Sequence, residues 1–312
     1  MAVIREESVL DSTYRNKKLH FVLWKDDTVE PKAVVQLSHG MCEYVKRYDE
    51  MAVAMAEAGY VVCGNDHLGH GETAADSDEL GFIADKDGFR YMVKDLRKVT
   101  EYIQKRFPGL PVVMYGHSMG SFLARKYAAD YKDGIAAYVF SGTGGPNPAS
   151  GVGLKLIDVI SRFKGEHHRS NLMTKIAFGK YTEKYEDAKT GYEWVTSDPE
   201  KLEEYLHDPF CMYLFTLSAY RDLMSVLSEV SEDGWAGKLR KELPYLLVSG
   251  DMDPVGDYGK GVKTVYDRMK AAGCAKAECR LLAGIRHEPH NEKNRKDFYR
   301  ETIAWIDRAI GA

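Results

Sequence analysis

Met114-Tyr115-Gly116-His117-Ser118-Met119-Gly120 decides the reading of this chain, because Gly116 to Gly120 form a G-x-S-x-G pentapeptide. The apolar run Pro111-Val112-Val113-Met114-Tyr115 precedes it, and Ser121 to Ala129 follow with the composition of a helix. Strand, sharp turn and helix are the context in which such a serine is held above a sheet edge as a nucleophile. Gly116 and Gly120 suit the turn, since a Cβ at either place would meet the neighbouring strand or helix. A bare G-x-S-x-G is often only a flexible turn. Here the flanks favour the catalytic reading, with Ser118 as the nucleophile.

On such a turn the partners follow in the chain order acid, then histidine. Downstream, Pro244-Tyr245-Leu246-Leu247-Val248-Ser249 reads as a buried strand and runs into Gly250-Asp251-Met252-Asp253-Pro254. Asp253 stands before a proline, which keeps it extended. Asp251, tight against Gly250, reads as a turn residue, and both acids could be turn formers and nothing more. A further strand-like run, Glu278 to Leu282, leads into Ala283-Gly284-Ile285-Arg286-His287-Glu288-Pro289-His290. A loop after the last strand suits the base, so His287 is the candidate and His290 the runner-up. A metal site is disfavoured: His287-Glu288-Pro289-His290 is not H-E-x-x-H, and Pro289 would spoil a helix presenting two ligands on one face.

Ala33-Val34-Val35-Gln36-Leu37 reads as a strand, and Ser38-His39-Gly40-Met41-Cys42-Glu43 follows it. A His-Gly step there lets a backbone N–H turn towards the nucleophile, so the N–H groups of Met41 and Met119 are the expected oxyanion donors. The strand Tyr60-Val61-Val62-Cys63 leads into Asp66-His67-Leu68-Gly69-His70-Gly71, whose polar side chains are expected to brace the oxyanion loop. Cys42 is a candidate reactive thiol beside the pocket.

Together, His39-Gly40-Met41, Asp66 to Gly71, Gly116 to Gly120, Gly250-Asp251-Met252-Asp253 and Arg286-His287-Glu288 resemble the monoacylglycerol lipase and lysophospholipase family of α/β-hydrolases. The likeness covers residues about 15 to 145 and 242 to 310. It implies Ser118 as nucleophile, Asp253 as triad acid, His287 as base, and Met41 and Met119 as oxyanion donors. The family acid lies three residues past the glycine, which favours Asp253 over Asp251. No cofactor is implied. The expected substrate is a carboxylic ester of a lipid, with small or carbohydrate-linked esters as the alternative. A non-catalytic binding protein is the remote reading, disfavoured because all three triad residues are present in order.

The global numbers fit one globular enzyme. A chain of 312 residues can bury a large core. Its 44% apolar and 29% charged residues are ordinary proportions, which excludes a disordered chain. A net charge of −4 provides no basic footprint for nucleic acid. No stretch approaches the apolar length of a membrane span, and the N-terminus lacks a signal-peptide core. Five cysteines in this length make no disulfide framework, and a cytoplasmic location is expected.

The expected fold class is α/β: an α/β-hydrolase fold with a mostly parallel central sheet, helices on both faces and a helical cap insertion. An opening antiparallel pair is expected at 7–10 and 19–24, then strands at 33–37, 60–63, 112–115, 136–141, 245–249 and 278–282. Core helices are expected at 48–58, 84–106, 119–131, 257–271 and 291–310. Residues 1–144 and 242–312 are expected to form the core. Residues 145–241 begin in the turn-rich Gly142–Pro148 loop and are expected to form the cap, with helices at 152–163, 171–179, 199–206 and 210–229. The last of these should carry Phe210, Tyr213, Leu214 and Leu217 on one face. The cap's many aromatic rings suggest an acyl-chain tunnel, and transient membrane contact through the cap is expected.

Overall fold

The computed structural model describes residues 3–147, 149–186 and 188–312; Pro148 of the expected loop lies outside them. Among these residues eight strands form one sheet. They are β1 (Val3–Asp11), β2 (Lys18–Asp26), β3 (Ala33–Ser38), β4 (Tyr60–Asn65), β5 (Val112–His117), β6 (Ala137–Ser141), β7 (Tyr245–Gly250) and β8 (Ala277–Leu282). The order across the sheet is β1-β2-β4-β3-β5-β6-β7-β8. The first pair is antiparallel, β2 also meets β4 antiparallel, and every later pairing is parallel.

The central strands are buried throughout, which is why they read as continuous apolar runs and not as alternating ones. Their pleat still sorts the side chains. Val34, Val112 and Met114 join one apolar cluster, while Val35, Val113 and Tyr115 join another on the opposite face. Helices α2 (Gly88–Arg106) and α3 (Met119–Asp130) contribute Leu96 and Leu123 to the first cluster, as α8 (Lys260–Ala271) contributes Val265. Helices α1 (Asp49–Glu57) and α9 (Arg295–Ile310) contribute Met55 and Trp305 to the second. The sheet is thus covered on both faces, the α/β-hydrolase arrangement.

Parallel register brings the C-terminal strand ends into one row. Ser38 lies opposite Gly116, His117 opposite Ser141, and Gly250 opposite Leu282. The loops that leave this row carry Met41, Ser118, Asp253 and His287, at the end of a parallel sheet where ligands bind.

Between β6 and β7 the chain forms α4 (Ala149–Lys164), α5 (Asn171–Phe178), α6 (Pro199–His207) and α7 (Leu217–Val230). Helix α7 begins at Leu217, not near 210. The Thr216 hydroxyl accepts from the Ala219 N–H, capping the helix, while the Thr216 N–H donates to the Gly81 carbonyl. A β-bridge between Arg169 and Thr216 keeps the incoming chain extended. Phe210, Tyr213 and Leu214 therefore precede the helix and share no helical face with Leu217. Helix α2 also starts later than expected, because Asp87 takes a left-handed conformation at φ 54°. The Asp222 carboxylate of α7 packs against this first turn, at Gly88.

Candidate active site

The Ser118 backbone carries the strain expected of its turn: φ is 52° and ψ is −122°. The surroundings hold it there. The Ser118 N–H donates to the Ser141 carbonyl at 2.9 Å, and the Ser121 N–H donates to the Ser118 carbonyl at 2.9 Å. Gly120 cannot be larger, since a Cβ would land on the Ser38 carbonyl oxygen of β3.

His287 Nε2 lies 2.9 Å from Ser118 Oγ, and its Nδ1 lies 3.0 Å from Asp253 Oδ1. With Nδ1 protonated towards the carboxylate, Nε2 is left free to accept the serine proton. Asp253 is fully buried; its Oδ2 accepts from Ser249 Oγ and its Oδ1 from the Val255 N–H. Burial opposes a charge on His287, but the Asp253 carboxylate, by charge and hydrogen bond, with Glu288 and Glu43 behind it, holds the imidazole above its usual value.

The competing candidates lie apart from this line. Asp251 accepts from the Gly284 N–H at 2.8 Å and so closes the turn between the two loops. His290 stacks on Tyr48 at 4.5 Å, and both its ring nitrogens are buried without a partner. Burial pushes it down to about 3, so it stays neutral. His117, Glu288 and His290 bring donor atoms within 4.8 Å of one another, a group small enough to invite a metal. The Glu288 carboxylate is already occupied, however, by both Arg47 Nη atoms at 2.7 and 2.9 Å and by Asn291 Nδ2 at 2.7 Å. The residues present therefore fit an ion poorly.

The loop that carries His287 is braced by the segment between β6 and β7. The His287 N–H donates to the Trp194 carbonyl at 3.1 Å and the Glu288 N–H to the Val195 carbonyl at 2.8 Å. The Trp194 ring lies 5.1 Å from the imidazole. On the other side Met41 and Met119 flank Ser118 on the cavity wall. Asp66 accepts from the N–H groups of Val45, just beyond Met41 in the chain, and of Glu72, and His39 Nε2 accepts from the His67 N–H. Cys42 is a poor nucleophile: burial, then the Glu43 charge, pushes its thiol up, and Sγ rests against the Tyr213 carbonyl.

Over Ser118 opens a cavity of about 870 Å³. Met41, Phe122, Tyr181, Trp194 and Tyr213 line it, with Leu214 and, from α7, Leu223, Met224 and Leu227. From sequence, Trp194 is only one of many aromatic residues between 145 and 241, and no motif marks Glu43 or Arg47 for a role. A charged run at Glu43–Arg47 was the only signal available for those two.

Sheet order, strained serine turn and Ser–His–Asp line together define an α/β-hydrolase of the serine type. More narrowly, the chain belongs to the Hydrolase_4 family, described as serine aminopeptidase, S33, whose pattern matches residues 29–294. It is 26% identical over 298 residues to a monoglyceride lipase homolog of Monkeypox virus, covering 93% of this chain and 95% of that one. It is 27% identical over 293 residues to a monoacylglycerol lipase of Mycolicibacterium smegmatis, covering 93% and 92%. Its fold is similar to that of a highly thermostable carboxyl esterase from Bacillus coagulans crystallised with glycerol. There the TM-score is 0.91 and the identity 29%, over 99% of this chain and 100% of that one.

Proposed function

We propose that this protein hydrolyses carboxylic esters of lipids, of the monoacylglycerol or lysophospholipid kind, through an acyl-enzyme. The observation that carries the proposal is the Ser118–His287–Asp253 line, with spacings of 2.9 and 3.0 Å, at the floor of a large apolar-walled cavity. His287 takes the Ser118 proton as Oγ attacks the ester carbonyl, and Asp253 holds the imidazole and balances its charge. The developing oxyanion is received by the backbone N–H groups of Met41 and Met119. His287 then protonates the leaving alcohol, and water, activated by the same ring, releases the acid.

The family description names a peptidase, and the triad alone does not choose between ester and amide. The cavity wall favours the ester. An aminopeptidase needs a carboxylate free to receive an α-ammonium group. The two buried carboxylates on this wall, Glu43 and Glu288, are both engaged with Arg47, and the third, Asp257, is exposed to water, where an ion pair with an ammonium group is worth little. The names of the relatives, a monoacylglycerol lipase and a carboxyl esterase, support the same reading.

Residues 145–241 act in this proposal as the cap over a core of 1–144 and 242–312. Val152, Val159 and Phe163 stand exposed on one stripe of α4, with Leu172 and Ile176 exposed on α5, a surface suited to transient contact with a lipid surface. All five cysteines are free, which supports a reducing, cytoplasmic setting. Among the described residues no helix is long and apolar enough to cross a membrane. The test is a panel of monoacylglycerols, lysophospholipids, p-nitrophenyl and feruloyl esters, and aminoacyl amides. Highest kcat/KM on the acyl lipids is expected. A clear preference for amides or for feruloyl esters would overturn the lipid reading.

A further inference from the structure

We infer that Glu43 is a positioning residue for this hydrolysis: its carboxylate fixes the oxyanion loop through the Gly40 N–H, and Arg47 ties it to the loop that carries the base. The inference rests on the Ser118 reading proposed above.

Gly40 immediately precedes Met41, one of the two proposed oxyanion donors. Its N–H donates to Glu43 Oε1, and Tyr48 Oη donates to the same oxygen at 2.9 Å. Space around Gly40 is closed on two sides. A Cβ there would lie 2.6 Å from Glu43 Oε1 and 3.0 Å from the Cβ of Ser118. The backbone just before the oxyanion donor is thus clamped between Glu43 and the nucleophile. The other carboxylate oxygen, Oε2, accepts from Arg47 Nη1 at 3.2 Å. The same guanidinium holds Glu288 through both Nη atoms, and Glu288 follows His287 directly in the chain. One buried cation therefore joins the loop that stabilises the oxyanion to the loop that moves the proton, across 241 residues of sequence. Buried ion groups of this kind contribute little net stability, and their best-attested use is to fix register.

The arrangement also sets charge at the base. His287 is faced by Asp253 from the loop after β7, by Glu288 on its own loop, and by Glu43 and Arg47 from the oxyanion side. The neutral rings of His117 and His290 complete the shell. Glu43 adds to the field holding the imidazole up only in its charged fraction, because burial and the Glu288 charge push its own carboxyl up to about 7.

The test compares Glu43→Ala and Glu43→Gln with Ser118→Ala, using p-nitrophenyl butyrate and fluorophosphonate labelling. Glu43→Ala leaves Arg47 paired with Glu288 but strips the acceptor from the Gly40 N–H. Loss of one oxyanion donor costs about 10²- to 10³-fold, so kcat should fall roughly 30- to 300-fold, with KM changed less than about threefold. Glu43→Gln keeps an amide oxygen for Gly40 and Tyr48 and should recover at least about tenfold of that loss. Burial and the Glu288 charge push the Glu43 carboxyl up to about 7, so it is mostly neutral below that pH, and the acid limb of the glutamine variant should stay close to that of wild type. A folded Glu43→Ala enzyme with kcat within threefold of wild type would overturn the inference. So would a Glu43→Gln enzyme as impaired as the alanine variant. Should the alanine variant not fold, Glu43→Asp, whose carboxylate is one methylene short of the Gly40 N–H, is expected to lose at least about tenfold in kcat, and a kcat within threefold of wild type would overturn the inference. If Ser118→Ala stayed active, the triad reading itself would fail; a dead Ser118→Ala beside an unaffected Glu43→Ala would sink only this inference.

Discussion

The cavity wall makes acyl-chain length the most informative variable. Each methylene moved from water onto apolar side chains is worth about 0.8 kcal/mol, roughly a fourfold gain in kcat/KM. Going from an acetyl to an octanoyl ester adds six methylenes, so the ceiling is about 5 kcal/mol, or roughly 3 × 10³-fold. The cavity of about 870 Å³, walled by Leu214, Leu223, Met224 and Leu227, has room for such a chain, so a large part of that gain should be realised. Leu214→Asn is the sharpest perturbation. The Leu214 carbonyl is held by Arg169 Nη1, so the substitution changes the wall while the path of the backbone stays anchored. It should cost roughly one to two methylenes' worth on the octanoyl ester, about 4- to 15-fold in kcat/KM, and less than about twofold on the acetyl ester. The assay is the initial rate on a p-nitrophenyl ester series from two to twelve carbons, kept below micelle formation. A flat series, or a wild-type preference for acetyl, would show that the cavity does not receive an acyl chain.

The remaining expectations concern the triad. Asp253→Asn should mis-set the His287 tautomer and lower kcat by about 10⁴-fold, whereas Asp251→Asn, whose amide oxygen can still accept from the Gly284 N–H, should stay within about tenfold. The reverse order in a steady-state comparison would exchange the two acids. His287→Ala should abolish turnover. His290→Phe should retain activity and hold or raise Tm, because it replaces two unpartnered buried nitrogens with a ring of similar size. Since His287 must be neutral to accept a proton and its pKa is raised above 6.5, kcat/KM should fall with decreasing pH about a midpoint above 6.5. A midpoint below 6.5 would mean that the Asp253 charge does not reach the ring.

Much of this molecule was legible in its sequence because local chemistry and topology agree. The runs at 33–37, 112–115 and 245–249 lie in strands β3, β5 and β7 because each is buried on both faces and so stays apolar without a break. The turn at Gly116–Gly120 could be read for a similar reason: only glycine fits where α3 starts against β3. Strand β1 was foreseen only in part, from 7 to 10. It is a sheet edge, where Arg5 is exposed and Glu6 is half-buried against Lys25 and Arg106, and neither carries an apolar signature. The expected helix at 210–229 failed at its start because Phe210, Tyr213, Leu214 and Leu217 have helical spacing by coincidence. A threonine cap and two tertiary contacts, to Gly81 and Arg169, overrule that pattern, and no local rule reveals them. The Glu43–Arg47–Glu288 link was hidden for the same reason: its partners meet only once the sheet has brought the strand ends into a row.

The central claim is that Ser118 carries the acyl group. Intact-protein mass spectrometry of wild-type enzyme quenched in acid within milliseconds of mixing with excess p-nitrophenyl butyrate tests it directly. A mass increase of one butyryl group is expected, mapped by proteolysis to the peptide containing Gly116-His117-Ser118-Met119-Gly120. Ser118→Ala should show no adduct and no turnover. An adduct on another residue, or undiminished hydrolysis by Ser118→Ala, would contradict it.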